Sequence, residues 1–100
     1  MVKIYKYPLE LLDRQVLKIP VGAQFLHFGG QNSRPQLWAL VDPDIPEEEE
    51  WTLRIAGTGH EISEDIEMEH LGTMIDENLG LVWHLFFELP EAEETGNGYS

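Results

Sequence analysis

Short apolar segments separated by turn residues follow one another along the chain. In residues 51–56 apolar and polar positions alternate, with Trp51, Leu53 and Ile55 on one side. This period of two is typical of a strand with one buried face. Glycine and proline recur at short intervals, which favours many short strands over long helices. The segments predicted as strands are 2–7, 15–19, 23–28, 37–41, 51–56, 71–75 and 81–89.

Apolar residues occupy both faces of the last segment, which predicts a central position in its sheet. Residues 31–35 and 76–80 contain the glycine, asparagine and proline of hairpin loops. A helix is allowed only at 63–71, where Ser63 could cap one or two turns. The fold predicted is all-β: a small antiparallel sandwich or partly open barrel of about six or seven strands, with at most one short helix. The core predicted includes Trp38, Leu40, Leu53, Ile55, Trp83, Leu85 and Phe87.

Composition limits the size and the class of the protein. With 100 residues, of which 42% are hydrophobic, the chain suits one core. We expect a single β-rich domain at 1–89 and a flexible acidic tail at 90–100. The lack of cysteine excludes disulfides and cysteine-based zinc sites. Apolar runs of only a few residues, and no signal-peptide pattern at the N-terminus, predict a soluble protein without a membrane partner.

Charge is the most informative feature of the composition. The chain carries 19 acidic and 6 basic residues, a net charge of −13. Residues 1–40 are net +3, and residues 41–100 are net −16 with Arg54 as their one Lys or Arg. Direct binding to nucleic acid needs clustered cations, so it is not expected. A partner protein with a basic surface would be attracted instead.

The acidic residues themselves are the candidate binding site. An extended run places alternate carboxylates about 7 Å apart on one side, and such rows could imitate nucleic acid in a basic groove. The alternative is a solvated surface that only keeps the protein soluble, although a net charge of −13 exceeds the magnitude of about 2–8 that suffices. The residues predicted to contact a partner are Asp42, Asp44, Glu47, Glu48, Glu49, Glu50, Glu64, Asp65 and Glu67.

Candidate chemistry elsewhere is sparse. His27 and His84 lie in apolar strands, where hydrogen-bonded core histidines are expected. His60 and His70, beside carboxylates, would bind a divalent metal only if their loops converged, and no metal-binding spacing is present. The turn at 57–60 (GTGH) lacks the lysine of a phosphate-binding loop. We therefore predict no catalytic residue, no metal, no cofactor and no enzyme activity.

Five segments spread over residues 4–86 carry distinctive motifs: IYKYPL at 4–9, LWALVDP at 37–43, GTGH at 57–60, LGT at 71–73 and LVWHLF at 81–86. In these motifs the chain resembles a family of small uncharacterised phage and prophage proteins. The resemblance implies a compact single domain and a phage setting, hence the host cell cytoplasm as its location. It transfers no activity.

The function predicted is that of a non-enzymatic phage protein that binds a host protein. An inhibitor of host defence acting by nucleic-acid mimicry, as anti-CRISPR proteins of similar size and charge do, fits best. One alternative is a structural or accessory phage protein that self-associates as a homo-oligomer. A second is a metal- or nucleotide-dependent activity at the Gly57–His60 loop.

Overall fold

Seven strands follow one another in the computed structural model, which describes residues 1–32 and 34–89. They are β1 Lys3–Pro8, β2 Arg14–Pro20, β3 Gln24–Gln31, β4 Arg34–Val41, β5 Glu48–Gly57, β6 Met68–Asp76 and β7 Leu81–Glu88. No helix is present in these residues, and so none that could cross a membrane. The all-β prediction is confirmed. The predicted tail at 90–100 lies outside the described residues.

The strands form two open antiparallel sheets that pack on each other as a sandwich. The three-stranded sheet has the order β1-β4-β3, and the four-stranded sheet has the order β2-β5-β7-β6. Since β7 pairs with β5 on one side and β6 on the other, its predicted central position is confirmed. At one side of the sandwich β3 packs against β6.

A crossover joins β5 to β6. Both strands are antiparallel to β7, so they run parallel to each other, and residues 58–67 must cross β7 to connect them. On the way, Ile62 and Ser63 line a small cavity of about 50 Å³ with Ala56 and Phe86 on the outer face of the sheet. The Asp65 N–H donates to Ser63 Oγ at 3.3 Å. A turn therefore occupies the place where a short helix was allowed.

The core lies between the sheets and consists of residues that alternate along the strands. From β4 come Leu37, Ala39 and Val41, and from β5 come Leu53 and Ile55. The full buried set is Leu9, Ile19, Phe28, Leu37, Ala39, Val41, Trp51, Leu53, Ile55, Met74 and Leu85. Leu53, Ile55 and Leu85 were predicted correctly, while Trp83 and Phe87 are partly buried and pack against this core.

The prediction that Trp38 and Leu40 belong to the core is wrong. Strand β4 is apolar on both faces, so its sequence does not reveal which face is buried. Successive side chains point to opposite faces, and the inward face of β4 is that of Leu37 and Ala39. Trp38 and Leu40 consequently lie on the outer face, where the His27 ring lies 5.6 Å from that of Trp38. His27 is exposed, not a core histidine.

Both predicted hairpin loops are present. Asp76 Oδ1 accepts the backbone N–H groups of Asn78 at 3.1 Å and Leu79 at 3.3 Å. Gly80 closes this turn with φ of 67°, a conformation that favours glycine. The loop between β3 and β4 is shorter than predicted, because Gln31 already pairs with Arg34.

Candidate functional site at the acidic end

Seven of the nine predicted contact residues lie at one end of the sandwich. Asp42 and Asp44 follow the last residue of β4, and the run from Glu47 leads into β5. Glu67 immediately precedes β6, which is parallel to β5 and begins at the same end. The acidic end, as we name this group, consists of Asp42, Asp44, Glu47, Glu48, Glu49, Glu50, Glu67 and, in addition, Glu69. Glu64 and Asp65 lie apart from it, in the crossover.

Few cations balance the acidic end. The amino group of Met1 lies 4.0 Å from Asp42 Oδ1 and 3.9 Å from Asp44 Oδ2, all near the surface. Lys18 stands opposite Glu50 in the β2–β5 register. Within residues 1–32 and 34–89, however, no cation lies within ion-pair distance of the carboxylates at Glu47, Glu48, Glu49, Glu50, Glu67 or Glu69. These carboxylates are therefore available to a cation from another molecule.

A cleft opens between the two sheets at the acidic end. Its volume is about 280 Å³, and its lining consists of Ala23, Phe25, Glu49, Trp51, Glu69, Leu71 and Phe87. The Trp51 and Phe87 rings meet edge to face, with centroids 5.7 Å apart. Trp51 Nε1 donates a hydrogen bond to Glu49 Oε1 at 3.2 Å. We name this site the aromatic cleft.

A second cavity adjoins the aromatic cleft. It measures about 380 Å³ and is lined by Glu49, Glu50, Trp51, Thr52, Phe87, Glu88 and Leu89. Glu49, Trp51 and Phe87 belong to both cavities, so they form the wall between them. Three residues of the acidic end, Glu49, Glu50 and Glu69, therefore line a concave surface that has aromatic walls.

Glu88 differs from the other carboxylates because two arginines neutralise it. Glu88 Oε2 accepts hydrogen bonds from Arg54 Nε at 2.7 Å and Arg14 Nε at 3.1 Å. The bond from Arg54, followed by that from Arg14, lowers the pKa of Glu88 below its ordinary value. Since Arg14 and Arg54 stand opposite each other in the β2–β5 register, the carboxylate also separates two like charges. Glu88 is thus held as an anion that joins β2, β5 and β7.

We expect Glu88→Gln to remove a pH-dependent part of the stability. A carboxyl whose pKa is lowered by folding stabilises above its unfolded pKa, and this stabilisation disappears as the pH falls through the folded pKa. The free energy of unfolding of the wild-type protein should therefore be about 1 kcal/mol higher than that of the variant at neutral pH. In acid this difference should disappear. Urea unfolding measured from pH 7 downward tests this. Glu77→Gln is the control, and an equal loss in both variants would contradict the arginine bridge.

Apart from His27, the histidines lie on the outer side of the β6–β7 pair and in the turn that follows β5. Thr73 Oγ1 lies 3.2 Å from His70 Nε2 and 3.1 Å from His84 Nδ1. His84 is thus hydrogen-bonded as predicted, but it is not a core histidine, because it lies outside the buried core. His70 belongs to β6 and not to a loop. His60 Nδ1 accepts the Gly57 N–H at 3.1 Å, within the predicted tight turn. In the described ranges, no group of three or more histidine, aspartate or glutamate side chains is arranged to hold a metal ion.

A domain-family pattern matches residues 1–96, which is nearly the whole chain. The chain belongs to the DUF7352 family, whose members share a domain of unknown function. Comparisons with curated proteins and with solved structures found no match. Membership of an uncharacterised family, which the motifs implied, is thereby confirmed.

The aromatic cleft of this DUF7352 domain was not predicted from the sequence. Phe87 and Trp51 were assigned to strands, and Glu69 was not among the predicted contact residues. A signal was nevertheless present in the strand period. Glu49 stands two residues before Trp51 and so shares the inward face of β5. A carboxylate on the inward face at the start of a strand places a charge at the end of the sandwich, between the two sheets.

Proposed function

We propose that this DUF7352 domain binds a basic surface of a partner protein through its acidic end. The observation that carries the proposal is that carboxylates from three parts of the chain lie at one end of the sandwich. These parts are the segment after β4, the start of β5 and the start of β6. Among the described residues, most of these carboxylates lack a cation. A partner that supplied cations would relieve their mutual repulsion and gain charge-assisted hydrogen bonds.

Electrostatic attraction of this kind acts mainly on the rate and the specificity of association. Exposed residues such as Glu47, Glu48 and Glu50 would steer a basic partner towards the acidic end. Steering is screened over about 8–10 Å at physiological ionic strength, so the affinity should fall as salt is added.

The finer proposal is a phage-encoded inhibitor of a host defence complex, present in the host cytoplasm and acting as a nucleic-acid mimic. Glu48 and Glu50 support it, because they lie on one face of β5 at the about 7 Å spacing of alternate strand residues. A regular row of anions is what a groove built for phosphates recognises. Direct binding of nucleic acid by the chain itself remains disfavoured by its charge.

The proposal predicts that neutralising the acidic end weakens partner binding. A partner captured from host lysate is purified, and its affinity for wild-type protein and for the double variant Glu48→Gln/Glu50→Gln is measured by calorimetry at 50 and 500 mM NaCl. We expect at least a tenfold loss at low salt, and a smaller one at high salt.

The matched control is Glu61→Gln/Glu77→Gln, which removes the same charge from exposed positions outside the acidic end. If both double variants bind equally well, the acidic end is not the contact surface. Mimicry has its own test, since a mimic and the partner's own DNA or RNA must compete. Simultaneous binding without loss of affinity would eliminate mimicry and leave an ordinary protein contact.

Self-association is a second candidate function, and the outer face of the three-stranded sheet favours it. Trp38 and Leu40 face outward there, beside the exposed Ile4. Gln36, on the same face, is 6% exposed, and its Oε1 has no hydrogen-bond partner in the described part of the chain. Sedimentation of the chain alone separates this candidate from partner binding.

A further inference from the structure

We propose that the aromatic cleft receives one lysine or arginine side chain of the partner. This inference rests on the proposed function. It narrows the proposed contact region from the whole acidic end to one site, the aromatic cleft. It follows from the size of the cleft, the chemistry of its walls and the placement of its two carboxylates.

The cleft is large enough and open enough to admit a side chain of another protein. Pockets for small molecules usually measure about 300–1,000 Å³ and bury most of the ligand. The aromatic cleft measures about 280 Å³ and opens to solvent at the end of the sandwich. A long side chain can enter such an opening while the backbone that carries it stays outside.

The walls match the apolar stem of a basic side chain. Ala23, Phe25 and Leu71 line one part of the cleft, and the rings of Trp51 and Phe87 line another. Lysine and arginine bury their methylene groups against surfaces of this kind and keep the charged head at the rim. Aromatic rings add an attraction of their own, because a cation over a ring face interacts with its quadrupole.

Two carboxylates provide the partner for the charged head. Glu69 pairs with Phe87 across the β6–β7 ladder, and Glu49 comes from β5, on the other side of β7. The bond from Trp51 Nε1 holds the Glu49 carboxylate at the cleft. An ionised carboxylate accepts about four hydrogen bonds in all, so Glu49 retains acceptor positions for an ammonium or guanidinium group.

Among the described residues, no lysine or arginine lies within ion-pair distance of Glu49 or Glu69. Arg14 and Arg54 hydrogen-bond to Glu88, and Lys6 hydrogen-bonds to Gln31. Residues 90–100 contain neither lysine nor arginine. A purely apolar occupant would desolvate two carboxylates without compensation, and an anion would be repelled. The cation therefore comes from a partner.

The test uses a short peptide as the probe. Acetyl-Gly-Gly-Lys-Gly-Gly-amide is titrated into the ¹⁵N-labelled chain, and the indole N–H resonance of Trp51 is followed by NMR. We expect a saturable shift of this resonance in the millimolar range. The Trp38 resonance, on the outer face of the other sheet, should not move. The same peptide with arginine in place of lysine should shift the Trp51 resonance as well. The peptide with norleucine, which has the apolar side chain without the charged amino group, should not bind.

A matched pair of variants assigns the site. Glu69→Gln should weaken binding of the lysine peptide at least fivefold, and Glu77→Gln, at an exposed turn remote from the cleft, should leave it unchanged. Equal shifts with the norleucine and lysine peptides would overturn the proposal, as would equal affinities of the two variants. A Trp51 shift that depends on protein concentration without peptide would assign the cleft to a second copy of the chain, and would overturn it too.

The purified partner distinguishes this inference from the function on which it rests. If Glu48→Gln/Glu50→Gln weakens binding of the partner while Glu69→Gln does not, the acidic end binds the partner and the cleft proposal is wrong. If the lysine peptide binds the cleft but neither change affects the partner, the proposed function is wrong. Loss of partner affinity in both variants supports the two together.

Discussion

We expect Phe28→Ala to lower the free energy of unfolding by about 3–5 kcal/mol, the usual cost of truncating a buried phenylalanine. Phe28 is 1% exposed and heads the fully buried side chains by volume. It lies on β3, and its Cβ would be 3.2 Å from a Cβ built on Gly72 of β6. Its ring thus packs between the two sheets. A domain of this length has a total stability of about 5–15 kcal/mol, so much of it would be lost.

The matched control for Phe28→Ala lies two residues earlier on the same strand. Leu26 is 45% exposed, so Leu26→Ala should cost less than about 1 kcal/mol. Urea unfolding followed by tryptophan fluorescence measures both variants. Similar costs at the two positions would show that β3 does not present Phe28 to the core.

Gly72→Val should be the second most damaging change, with an expected loss of about 1–3 kcal/mol. Valine normally favours strands over glycine, so the local preference alone would predict a gain in stability. The added Cβ, however, would approach Phe28 Cβ to 3.2 Å, closer than carbon atoms normally pack. Because Phe28 Cβ is fixed to its backbone, the strain can be relieved only by moving β6 away from β3.

A double-mutant cycle with Phe28→Leu tests this contact directly. Phe28→Leu keeps the Cβ but removes the ring, whose Cδ2 would lie 3.9 Å from the added Cβ and so within reach of the valine methyl groups. It should therefore reduce the cost of Gly72→Val by more than the about 0.5 kcal/mol within which independent sites add, while the part that comes from Phe28 Cβ persists. The melting temperatures of the four proteins provide the measurement. Strict additivity would show that the phenylalanine ring does not contribute to the cost of Gly72→Val.

Much of the fold was predictable because its signals are local. The alternation of Trp51, Leu53 and Ile55 predicts β5, and the apolar residues on both faces of 81–89 predict that β7 is central. The buried face of β4 is different, since Trp38 and Ala39 are both apolar and only the packing of this sheet on the other one decides between them. The start of β5 at Glu48 likewise depends on its pairing with Pro20 of β2.

The acidic residues of the candidate site were visible in the sequence, but the cleft between them was not. Phe25 belongs to the three-stranded sheet and Phe87 to the four-stranded sheet, and no local pattern relates two strands so far apart in the chain. Glu49 and Glu69 face the same opening only because β7 lies between β5 and β6. Charge can be counted from a sequence, whereas the convergence of these side chains is a property of the packed sheets.

The crossover from β5 to β6 has a consequence for biosynthesis. The ribosome produces β7 after β5 and β6, yet β7 is the strand with which both of them pair. Until β7 emerges from the ribosome, the edges of β5 and β6 with which it will pair are exposed. Unpaired strand edges can pair with other chains. Closing the sheet then requires contacts between residues distant in sequence, which slows folding. The many carboxylates that precede and flank β5 and β6 would keep neighbouring nascent chains apart during this interval, so the same charge would serve the protein before it has folded.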